Sequence, residues 1–104
     1  MTIQVNTDRH IQGGAELQED VTSLIEASLG NHADRITRVE VHLSDQNSEK
    51  GGEGDVRCAI EARLAGLPPL GVHHDASGLT ESVQGAAERL EHLIQHHLGR
   101  IEER

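Results

Sequence analysis

Apolar and polar residues alternate over residues 2–7, with Ile3 and Val5 on one side and Gln4 and Asn6 on the other, the period of a half-buried strand. Gly13 and Gly14 then interrupt the pattern. Leu17, Val21, Leu24, Ile25 and Ser28 recur at helical spacing, and Glu16, Glu19 and Asp20 lie near the positive end of the helix dipole, which predicts an amphipathic helix over 14–30. Alternation returns over 36–43, with Val39, Val41 and Leu43 on one face and Arg38, Glu40 and His42 on the other. The Ser-, Asn-, Asp- and Gly-rich stretch 44–55 reads as a hairpin loop. A third strand over 56–65 points Val56, Cys58, Ile60, Ala62 and Leu64 inward and Arg57, Ala59, Glu61 and Arg63 outward, and reads as the central, longest strand.

Pro68 and Pro69 cannot donate to a ladder, so the chain turns there before a short strand over 70–74. Ser77 is placed to cap a last helix over 78–101, whose apolar stripe is Leu79, Val83, Ala86, Ala87, Leu90, Leu93, Ile94, His97 and Leu98. The expected fold is α+β: a two-layer sandwich in the order β-α-β-β-β-α, a four-stranded sheet with two helices packed on one face. A chain of 104 residues without internal repeat or linker is expected to form one domain, residues 1–104.

Composition narrows the function. There is no Phe, Trp or Tyr, so the core is built from Val, Ile, Leu and Ala, and a single-strand RNA reader that stacks bases on aromatic rings is disfavoured. Nine Lys plus Arg against 18 Asp plus Glu give a net charge of -9, which opposes non-specific phosphate binding. Eight histidines make that charge pH-sensitive, because imidazole titrates near neutrality. No signal pattern opens the chain and no apolar run nears the roughly 20 residues of a membrane span, so a cytoplasmic protein without membrane association is expected.

No catalytic constellation emerges. Cys58, the one cysteine, falls among inward positions and reads as a buried thiol. There is no Gly-rich phosphate loop, nucleophile elbow or His-Glu-x-x-His motif, and no cofactor is expected. Asp45, Asn47 and Glu49 imitate the start of an EF-hand loop, but Lys50 stands where Gly is needed, so a solvated loop is the better reading. His92 and His96, four apart, and the run His73-His74-Asp75 each suggest metal affinity without completing a four-ligand site.

The segments Arg35-Ile36-Thr37-Arg38-Val39-Glu40-Val41-His42-Leu43-Ser44-Asp45 and Arg57-Cys58-Ala59-Ile60-Glu61-Ala62-Arg63-Leu64-Ala65-Gly66 resemble the short form of the hibernation-promoting and ribosome-associated-inhibitor family. The opening Ile3-Gln4-Val5-Asn6-Thr7-Asp8 and the later Ala86-Ala87-Glu88-Arg89-Leu90 fit the same pattern, so the resemblance spans nearly the whole chain. It implies a stress or stationary-phase factor, not an enzyme, that binds the small ribosomal subunit through rRNA and ribosomal proteins near the decoding region and represses translation by occupancy. Long members carry a further domain that pairs ribosomes; this chain stops at Arg104 and is not expected to act by that route.

Family members carry Lys and Arg along both helices, whereas this chain is acidic there. The positions resembling the basic stripe of the last helix are Arg89, His92, His96 and Arg100, the candidate rRNA contacts, and their spacing keeps them near one face. Protonated His92 and His96 would strengthen the stripe, so binding is expected to tighten at mildly acidic pH. The competing reading pairs Arg89 with Glu88 or Glu91 and leaves the histidines solvated. On the sheet, Arg38, Glu40 and His42 are expected to form cross-strand ion pairs with Arg57, Glu61 and Arg63. A basic protein partner for an acidic module of the same fold is the alternative function, and a monomer or weak homodimer the expected state.

Overall fold

The computed structural model describes residues 1–46 and 55–102, with side chains through Gly99. Its elements are β1 (Thr2–Thr7), α1 (Ala15–Leu29), a short 3-10 turn (Gly30–His32), β2 (Ile36–Asp45), β3 (Val56–Leu64), β4 (Leu70–Ala76) and α2 (Leu79–Glu102). The sheet runs in the order β1-β2-β3-β4. β1 and β2 are parallel, so the chain must cross over between them, and α1 is that crossover. The β2-β3 and β3-β4 pairs are antiparallel. The expected α+β order is therefore the observed one.

One apolar cluster lies between the sheet and both helices. Val21, Ile25 and Leu29 enter from α1, Val39, Val41 and Leu43 from β2, Cys58, Ile60 and Ala62 from β3, and Val83, Ala86, Ala87, Leu90 and Ile94 from α2. Period 2 in the strands and about 3.6 in the helices bring these residues to one layer. Each buried Val, Leu or Ile side chain contributes roughly 1.5–3 kcal/mol, and without aromatic residues the core depends on many such increments.

Several boundaries differ from the expected ones. β2 continues through Ser44 and Asp45, and Gln46 N–H donates to Asp55 O at 2.9 Å, so both ends of the supposed loop belong to the hairpin ladder. Asn47, Glu49 and Lys50 of the EF-hand comparison lie outside the described residues. β2, with 10 residues, is longer than β3 with 9, and both are interior strands.

The reversal into β4 precedes the prolines. Leu67 N–H donates to Leu64 O at 3.2 Å, and Gly66, at φ +81, takes the third position of a turn that needs a left-handed residue. β4 then extends two residues beyond His74, to Ala76. Ser82 N–H makes the first α2 bond to Gly78 O, so Gly78 rather than Ser77 occupies the cap position.

Asp8 ties the end of β1 to the end of β2. Its Oδ1 accepts from the His10 and Ile11 N–H groups at 3.0 and 3.1 Å, and its Oδ2 accepts from Asp45 N–H at 3.0 Å. These donors favour the ionised form, with the Asp45 bond the largest contribution, and hold the carboxyl below its ordinary range.

Candidate nucleic-acid interface

The inner face of α2 fixes its outer face. Val83, Ala86, Ala87, Leu90 and Ile94 are fully buried, which leaves Arg89, His92 and His96 exposed on the other side. The 24-residue helix is about 36 Å long at 1.5 Å per residue, and the stripe occupies its second half. Arg100 also belongs to α2, but its side chain lies outside the described residues. Of the four candidate positions, Arg89, His92 and His96 thus lie on the exposed side of the helix.

Their local chemistry differs residue by residue. Arg89 Nη1 donates to the His73 carbonyl of β4 at 3.2 Å, so the guanidinium does not pair with Glu88 or Glu91. Glu91 instead accepts from Gln95 Nε2 at 2.7 Å and lies 3.3 Å from His32 Nε2 beside α1. The His96 ring meets that of His97 edge-on, with centroids 5.8 Å apart. His92 makes no hydrogen bond or ion pair among the described residues, leaving its imidazole open to a ligand.

A glycine sets how closely α2 approaches the sheet. A Cβ at Gly85 would lie 2.1 Å from His74 Cδ2, so the imidazole occupies space that any other residue at 85 would need. Sequence periodicity did not reveal this role; the clue was a glycine inside a helix, where it costs about 1 kcal/mol relative to Ala. The contact also separates the His73-His74-Asp75 run. His74 faces the helix layer beside Gly85, while alternation puts His73 and Asp75 on the open face.

That open face keeps its charges in local pairs. Arg57 donates Nε and Nη2 to the two Asp75 oxygens at 2.8 and 3.1 Å, raising the guanidinium and lowering the carboxyl from their ordinary values. Arg38 bonds Glu40 at 3.0 Å, Arg63 lies 3.7 Å from Glu61, and His42 lies 3.9 Å from Glu40. These last contacts run along strands rather than across β2 and β3. The register explains why: Arg38 stands opposite Arg63 and Glu40 opposite Glu61, so like charges face each other. The expected β2-β3 ion pairs are thus corrected: among the described residues the cross-strand pair on this face is Arg57–Asp75, between β3 and β4.

Cys58 is fully buried, and desolvation pushes its thiol up to about 12, which removes the thiolate needed for nucleophilic chemistry. Among the described residues, no three His, Cys, Asp or Glu side chains have metal-holding geometry. No described helix is long and apolar enough to cross a membrane. The arrangement presents hydrogen-bond donors and imidazoles on a rigid helix, suited to contacting a surface.

The comparisons agree with that architecture. The Thermus thermophilus Protein Y N-terminal domain is 21% identical, with a TM-score of 0.75, over 93% of this chain and 99% of that one. A ribosomal subunit interface protein from Coxiella burnetii is 15% identical, with a TM-score of 0.74, over 95% of this chain and 99% of that one. These likenesses establish the fold. No curated protein sequence matches. Residues 4–102 match the family described as "Sigma 54 modulation protein / S30EA ribosomal protein". The match covers both helices, three strands and β1 from Gln4 on, and the chain belongs to this family of non-enzymatic, ribosome-associated proteins.

Proposed function

We propose that this protein is a cytoplasmic stress or stationary-phase factor that binds the small ribosomal subunit near the decoding region and represses translation by occupancy. The family match across residues 4–102 carries the reading, and the whole chain is taken as one ribosome-associated-inhibitor-like domain. Arg89, His92, His96 and Arg100 are its proposed rRNA contacts. Shape recognition of structured RNA suits a helix surface with few cations, since backbone contacts position a protein without reading sequence.

Mild acid tightens this contact in the proposal: protonated imidazoles add charge-assisted donors, while Glu88, four residues before His92, opposes the phosphate. Competition tests the location. Small subunits preloaded with messenger RNA and tRNA should exclude the protein, and the protein should inhibit translation in proportion to occupancy. Undiminished binding to preloaded subunits would contradict the decoding-region proposal.

A second reading rests on a specific feature of α1. It carries Glu16, Glu19, Asp20 and Glu26 and no Lys or Arg, giving a surface suited to a basic protein. In this alternative, an acidic interaction module has lost strong ribosome binding. Removing two of those carboxylates would weaken partner binding in the second reading and strengthen ribosome binding in the first.

A further inference from the structure

The two edges of the sheet are built differently. Exposed strand edges offer unpaired N–H and C=O groups, and proteins guard them with charges, prolines, bulges or covering side chains. β4 has such guards: Pro68 and Pro69 immediately precede it, Asp75 lies on it, and Arg89 bonds the His73 carbonyl. β1 has none of these. Its six residues contain no charge or proline, and its register to β2 is unbroken from Thr2↔Arg38 to Thr7↔Leu43. Among the described residues, no backbone hydrogen bond reaches its outer row. Ile3 and Val5 are only half-buried, while their partners Val39 and Val41 are 0% exposed, and Met1, the large apolar residue most exposed, leads into the strand.

We propose that β1 is an association surface for a second copy of this chain, paired antiparallel about a two-fold axis at Gln4 into one continuous eight-stranded sheet. Directly opposed residues in an antiparallel pair share a face. A two-fold axis that keeps both helix layers on the same side therefore sets Ile3 against the partner's Val5, Gln4 against the partner's Gln4, and Thr2 against the partner's Asn6. Every pair matches in chemistry. Within the chain Gln4 Nε2 donates to Asn6 Oδ1 and Gln4 Oε1 accepts from Arg38 Nη2, so the second N–H and the second lone pair of the carboxamide are what it offers to its own copy on the axis.

Charge opposes self-association in general and singles out this edge as the place where it costs least. Copies with a net charge of -9 repel one another, but residues 1–7 contain no ionisable side chain. The ladder would be only about 20 Å long at 3.3 Å per residue, which makes the dimer weak and concentration-dependent. Salt strengthens it by screening the net charge, the reverse of its effect on rRNA binding.

Sedimentation equilibrium of the full chain tests this over concentrations from about 10 μM to 1 mM, a range suited to weak affinity. The mass is expected to rise from 11.3 kDa toward twice that value, and further at higher salt. Folded Gln4→Lys and Gln4→Glu variants should each lose the rise, because like charges then meet on the axis, and their equimolar mixture should regain it. A wild-type mass of 11.3 kDa throughout would overturn the proposal. So would association unchanged in either variant, or a mixture that remains monomeric.

Discussion

The open face of the sheet and the outer face of α2 both carry cations, but they use them differently. On the sheet, Arg38, Arg57 and Arg63 each have a carboxylate within 4 Å, so the positive charge is spent within the fold. On α2, Arg89 meets a neutral carbonyl and His92 meets no described partner. Net charge therefore says little about where an anionic ligand can land. An acidic chain can retain such donors where a neighbouring carboxylate is committed elsewhere, as Glu91 is to His32 and Gln95, although Glu88 stays exposed beside them.

The largest expected effect comes from removing the support that both surfaces share. Leu90→Ala leaves a cavity beneath α2 and should cost about 2–5 kcal/mol in denaturant unfolding. A smaller loss would mean that the helix settles onto the sheet and that its position is less firmly fixed. Gly85→Val disturbs only the α2-β4 approach and should cost about 1–3 kcal/mol through overpacking. Adding His74→Ala should recover part of that loss; additive costs from the two changes would contradict the steric account.

Asp8 gives a pH-dependent test of the hairpin end of the sheet. Its folded carboxyl titrates below the unfolded value, so its stabilisation is present above the ordinary carboxylate range and is lost as pH falls through the folded value. Acid titration of stability should lose that component in Asp8→Ala. An unchanged acid profile would show that Asp8 is not the residue responsible. The smallest effect should follow Arg57→Ala, which breaks an exposed pair: stability should change little, and less at high salt.

The architecture was legible because its signals are local. Alternation in β1, β2 and β3, the stripe of α2 and the buried setting of Cys58 all follow from near neighbours in sequence. What was missed depends on pairing. The like-charge rows Arg38↔Arg63 and Glu40↔Glu61 follow from a register that no single strand encodes. For the same reason, Asp8 showed no role until Asp45 was placed beside it, nor Gly85 until His74 was. The stripe was legible as a face but not as chemistry, because the Arg89 partner is a backbone carbonyl rather than the acidic neighbours its sequence suggests.

Co-sedimentation with purified small subunits and whole ribosomes, across salt and at neutral and mildly acidic pH, is the most direct test of the proposed ribosome contact. Saturable binding that tightens in mild acid and is lost in a folded Arg89→Glu/Arg100→Glu variant is expected. No saturable binding at low salt, or full binding by that variant, would contradict the proposed contact.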